Sequence, residues 1–196
     1  MIGLTQNELK TLNFLVRHFE EKYSINQLAK KVGITPKGMH KLLNRLGEQG
    51  ILKFQKLGNA IFFQLNFDSE VARISANLSL FEEIKLPYAK AQAKDLERLR
   101  PFAKAVVLFG SVLEKGEKAG DIDVLFVLEE KQYAAFNKAL KELQSLKTKH
   151  IQDVVQTFED LVKNLKKPDK VVLEILKTGK ILWGHEIIVN AVKAAL

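Results

Sequence analysis

At 196 residues, with 31 Lys and Arg against 23 Asp and Glu, the chain carries a formal charge of +8 and a pI near 9.5, a balance that favours polyanionic partners. It has no cysteine, which excludes disulfides and thiolate metal sites. No run approaches the roughly 18 apolar residues of a membrane span, so a cytoplasmic chain with room for two small domains is expected.

Residues 7–20 repeat apolar side chains at Leu9, Leu12, Leu15, Val16 and Phe19, a helical stripe. Ser24 suits the N-cap of a short second helix ending at Gly33. Thr35-Pro36 has the cap and first-turn proline of a third helix, which runs through Leu42, Leu43 and Leu46 to Gly50. Strands over 51–57 and 60–65 follow, joined at Gly58-Asn59, a two-residue hairpin signal. Three helices followed by a hairpin resemble a winged helix-turn-helix domain over about 1–68, and residues 25–35 resemble the turn region of many such DNA-binding domains. The resemblance implies DNA contacts from Lys37, His40, Lys41, Asn44 and Arg45 on the third helix, and from Lys53, Lys56 and Asn59 on the hairpin. Long basic side chains reach phosphates, while Asn and Arg also read base edges. Residues 1–68 hold ten Lys and Arg against five Asp and Glu, so the basic excess is concentrated here. Dimerisation, or packing against a neighbouring domain, is the alternative use of such a fold.

Residues 69–85 place Val71, Ile74, Leu78 and Phe81 at helical spacing, and Pro87 interrupts the pattern. A second amphipathic segment over 88–100 carries Lys90, Lys94, Arg98 and Arg100 and leads through Pro101 into the next strand. Together they read as a helical connector, 69–100, whose basic side widens the electrostatic footprint.

The apolar run 105–109 reads as a buried strand, and Gly110-Ser111 ends it where a backbone turns tightly and begins a helix. A triphosphate finds N–H donors at such a turn. After a polar loop over 114–120, a second strand opens with Asp121, Ile122 and Asp123. Residues two apart in a strand share a face, so both carboxylates are placed to bind one cation or a pair. Mg2+ (or Mn2+) suits them, since it takes one or two carboxylates with substrate phosphates and water.

Phe109-Gly110-Ser111 and Asp121-Ile122-Asp123-Val124, with nine residues between Ser111 and Asp121, resemble the signature of the DNA polymerase beta type nucleotidyltransferase superfamily. The resemblance implies transfer of a nucleoside monophosphate from a nucleoside triphosphate, with ATP the expected donor, to a hydroxyl on a protein or nucleic-acid acceptor. Asp121 and Asp123 would hold the metal, and Gly110 and Ser111 would position the triphosphate. Catalytic members usually add a third carboxylate from a later strand, for which Asp153 within 150–157 is the candidate. Gln152 breaks the apolar-Asp-apolar spacing there, and the assignment depends on a strand register that one sequence does not give. Without Asp153 the expected protein is a DNA-binding transcriptional regulator or antitoxin-like protein whose nucleotidyltransferase fold binds nucleotide or a partner without turnover.

Beyond the acidic pair, residues 133–146 have the period of a helix packed on the sheet, 150–157 read as a third strand and 158–165 as a short helix. Pro168 opens a further helix with Val171, Val172, Ile175 and Leu176 inward, ending at Gly179. The tail 179–184 resembles a closing element of small nucleotidyltransferases, with Trp183 in a core or interface. His18, His40, His150 and His185 show no ligand spacing, which argues against zinc. The expected fold is α/β (α+β), with an N-terminal winged helix-turn-helix and a nucleotidyltransferase core, 101–196, built on a short mixed β-sheet with flanking helices. A homodimer is the commonest assembly for such a chain.

Overall fold

The computed structural model describes residues 3–57, 60–167 and 169–196. The chain divides into two compact units, residues 1–81 with Leu196, and residues 82–195. Among the described residues no helix is long and apolar enough to cross a membrane.

In the first unit, α1 (Gln6–Arg17) starts at a capping box in which Thr5 Oγ1 accepts from the Glu8 amide and Glu8 accepts from the Thr5 amide at 2.7 Å. A short strand β1 (Tyr23–Ser24) precedes α2 (Ile25–Val32), whose Ser24 cap is completed by Gln27 and whose end is set by Gly33 at φ 78. Thr35 caps α3 (Pro36–Glu48), with Pro36 in the first turn. Strands β2 (Leu52–Leu57) and β3 (Ala60–Leu65) pair antiparallel, and β1 adds to β3 in the sheet order β1-β3-β2. The expected Gly58-Asn59 turn lies outside the described residues. Leu12, Leu28, Met39, Leu43 and Leu46 are fully buried, so the inward stripes of the three helices meet in one core. This arrangement is a winged helix-turn-helix.

The apolar spacing of residues 69–85 conceals the face that is used. Helix α4 (Glu70–Ser79) ends six residues before Lys85 and buries its small side chains, Ala72, Ser75, Ala76 and Ser79. Ile74, Leu78 and Phe81 stay exposed. Small residues let α4 approach α1 closely, and Asn13 Nδ2 donates to the Ser79 carbonyl at 2.8 Å.

The second unit opens with α5 (Pro87–Leu96), followed by β4 (Ala105–Phe109), a one-turn α6 (Val112–Lys115) and β5 (Ile122–Val127). Helix α7 (Tyr133–Ser145) crosses over to β6 (Ile151–Gln156), and α8 (Phe158–Lys166), α9 (Lys170–Thr178), β7 (Lys180–Trp183) and α10 (His185–Ala195) complete it. The four strands form one mixed sheet, β6-β5-β4-β7, in which only the β5–β6 pair is parallel. Its residues Val106, Leu108, Ile122, Val124 and Phe126 pack with Phe136, Leu140 and Leu143 of α7 in a buried cluster. Trp183 belongs to that cluster, and its Nε1 donates to the Ala103 carbonyl at 2.9 Å. In α9 the expected inward set is corrected at one position: Val172, Ile175 and Leu176 are buried with Leu173, whereas Val171 is 61% exposed. Val171 lies off the stripe that the 3.6-residue period carries from Val172 to Ile175 and Leu176. Pro168, expected to open this helix, lies outside the described residues.

Candidate nucleotide and metal site

The antiparallel register of β4 and β5 sets Phe109 opposite Asp123, so the turn that leaves β4 begins beside that carboxylate. Gly110 takes φ +74, and a Cβ on it would stand 2.2 Å from Asp123 Oδ2. Glycine is required twice over, by the left-handed backbone and by the carboxylate lying against its Cα. The first backbone bond of the next turn is donated by Leu113 to the Gly110 carbonyl at 3.2 Å, which places the Ser111 and Val112 amides ahead of it.

Alternation along β5 sends Ile122, Val124 and Phe126 into the buried cluster and leaves Asp121 and Asp123 on the opposite face. Both are half-buried. Burial, and then the charge of Asp121, raise the Asp123 pKa above its ordinary 3.8. A cation held between them relieves both causes.

The loop between the turn and the pair is tied down by a residue that sequence reading missed. Lys149 Nζ donates to the Ala119 carbonyl at 2.7 Å and to the Glu117 carbonyl, and lies 4.7 Å from the Tyr88 ring centroid. No local spacing connects Lys149 to that loop, because the contact spans the α7 crossover.

A cavity of about 580 Å³ opens from Gly110 and Ser111 and is lined further by Lys115, Lys170, Glu174 and Lys180. The ammonium of Lys180 pairs with Glu82 at 2.9 Å. Lys115 and Lys170 remain beside the turn and its amides, an anion-suited pair that shares the lining with Glu114 and Glu174. Lys170 and Glu174 come from α9 and Lys180 from β7, so only the fold brings them to Gly110.

Asp153 does not join the pair. In the parallel β5–β6 register Asp123 stands beside Gln152, and Asp153 stands beside Val124. Asp153 therefore belongs to the face of Ile151 and Val155, which pack on the buried cluster, and it is exposed because β6 is the edge strand. The expected third carboxylate misses by one residue, which in a strand means the opposite face. Among the described residues no group of three or more His, Asp or Glu gathers to hold a metal. Two carboxylates still fit Mg2+ or Mn2+ when phosphate oxygens and water fill the remaining positions.

In the winged helix, Lys37, His40, Lys41, Asn44 and Arg45 are exposed along α3, and Lys53 and Lys56 are exposed on β2. Asn44 Nδ2 lies 3.4 Å from His40 Nδ1, and Lys53 pairs with Asp68 at 3.7 Å. Arg45, though exposed, is already engaged: Nε meets Glu8 at 3.2 Å and Nη2 donates to the Gly3 carbonyl at 2.6 Å. Asn59 lies outside the described residues.

The second unit thus sets a glycine turn, two carboxylates on one face and a lysine-bearing cavity on one mixed sheet. Residues 92–187 match the family model described as "Polymerase beta, Nucleotidyltransferase". Among solved structures, the chain is similar to a zinc-responsive MarR family member, Lactococcus lactis ZitR, at 18% identity and a TM-score of 0.34 over 74% of this chain and 78% of that one. It is also similar to the transcriptional regulator PA4135, at 18% identity and a TM-score of 0.36 over 74% of this chain and 80% of that one. Scores this low carry no argument about function. No curated protein matches the chain.

Proposed function

We propose that residues 82–195 bind a nucleoside triphosphate, ATP in the first instance, with a divalent cation and transfer its nucleoside monophosphate to an acceptor hydroxyl on a protein or nucleic acid. The observation that carries this reading is the Asp123 carboxylate packed against the positive-φ Gly110, with Asp121 on the same face. The Ser111 and Val112 amides orient the triphosphate, and Lys115 and Lys170 offset its charge. Asp121 and Asp123 hold the cation, which supplies charge neutralisation and orientation at the phosphates. Such a displacement needs positioning and electrostatics and no nucleophilic side chain.

The winged helix brings this unit to DNA through Lys37, His40, Lys41 and Asn44 on α3 and Lys53 and Lys56 on β2, with Arg45 anchoring α3 to α1. A second reading, a DNA-binding regulator or antitoxin-like protein that binds nucleotide without turnover, is favoured by one observation: Asp153 stands on the other face of the sheet.

The test is incubation with each nucleoside triphosphate labelled on the α-phosphate, with Mg2+ or Mn2+ and a cell extract, using wild type and an Asp121→Asn, Asp123→Asn double variant. Label passed to a macromolecule by wild type alone supports transfer. Binding without transfer supports the regulator, and wild type that binds no nucleotide sinks both.

A further inference from the structure

We infer that Gln152 occupies the position from which a third carboxylate would complete the acidic face, and that its neutral amide limits the site to one cation and to slow transfer. The inference rests on the proposed nucleotide site and deepens it. Gln152 is the β6 residue paired with Asp123, and adjacent strands lie about 4.7–4.9 Å apart, so its side chain rises beside that carboxylate on the same face. It is exposed, free of the packing that holds Ile151.

The electrostatics follow from the donor set. Two divalent cations about 3.5–4 Å apart repel strongly and are held together by converging anionic oxygens. Asp121 and Asp123 supply two negative charges. An amide at 152 adds a dipole and none of the charge a hard cation seeks.

The proton follows the same logic. In transfer the acceptor oxygen bonds to the α-phosphorus, the bond from that phosphorus to the bridging oxygen breaks, and pyrophosphate leaves with the electron pair. The hydroxyl proton must pass to a base or to water. Gln152 does not accept it, whereas an aspartate there would do so and would ligate a second cation.

The test uses the full chain as wild type, Gln152→Asn, Gln152→Asp and Asp153→Asn. Mn2+ is titrated in the presence of α,β-methylene-ATP, with free Mn2+ read by electron paramagnetic resonance, and pyrophosphate release from ATP is followed with water as acceptor. The expected result is one Mn2+ per chain in wild type, Gln152→Asn and Asp153→Asn, and two in Gln152→Asp. Pyrophosphate release rises about tenfold or more in Gln152→Asp alone, the scale on which changes around a metal act. Two Mn2+ in wild type, loss of Mn2+ in Asp153→Asn, or one Mn2+ with unchanged release in Gln152→Asp overturns the inference while leaving the nucleotide site intact. No Mn2+–nucleotide binding in wild type overturns the site, and the inference with it. Should Gln152→Asp fail to fold, the wild-type stoichiometry and Asp153→Asn still decide.

Discussion

Replacing Gly110 with alanine measures the contact on which the site is built. At φ +74 the left-handed backbone alone costs a non-glycine residue roughly 1–2 kcal/mol. The new methyl would also fall 2.2 Å from Asp123 Oδ2 and 3.0 Å from its Cγ, so the carboxylate must leave its place. Overpacking on this scale adds about 1–3 kcal/mol. Gly110→Ala is therefore expected to cost about 2–5 kcal/mol. Trp183, the single tryptophan, lies buried in this unit, so its fluorescence during urea unfolding reports the right transition. In an Asp123→Ala background the excess cost of Gly110→Ala should vanish, a coupling of about 1–3 kcal/mol. A cost of Gly110→Ala that is the same with and without Asp123 would refute the contact.

Three further outcomes are expected. Because burial and Asp121 raise the Asp123 pKa above 3.8, the folded chain binds this proton more tightly than the unfolded one, and stability is lost as pH rises through the raised value. Asp123→Asn should thus be more stable than wild type at neutral pH, by a margin that closes as pH falls towards 3.8; a gap independent of pH contradicts this. Lys37→Ala and Lys41→Ala should each weaken DNA binding uniformly across sequences and reduce the slope of log K against log salt by about one, measured by fluorescence anisotropy. Glu8, 2% exposed, both completes the α1 cap and pairs with Arg45, so Glu8→Ala should destabilise the winged helix by about 1–2 kcal/mol in far-ultraviolet melting; an unchanged melt refutes that role.

The legible part of the site is the part that one loop closes. An apolar strand, a glycine turn, a short polar loop and a second strand leave two antiparallel strands little choice but to bring Phe109 and Asp123 together, and period-two alternation then sets Asp121 on the same face. The winged helix was legible for a similar reason. Its caps at Ser24 and Thr35, the proline at Pro36 and the stop at Gly33 are local chemistry, and each delimits a helix as spacing predicts.

What spacing does not carry is the choice between faces when both are chemically plausible. Helix α4 offers a bulky apolar stripe, Ile74, Leu78 and Phe81, and a stripe of small residues; close approach to α1 selects the small one. Strand β6 poses the same problem in period two. Asp153 and Gln152 are adjacent in sequence, and the register with β5, set across the α7 crossover, decides which of them meets Asp123. One residue of offset exchanges a carboxylate for an amide, and with it the charge available to a second cation. No local motif encodes that register, which is why the Gly110–Asp123 contact was legible in the sequence while the β6 residue that stands beside Asp123 was not.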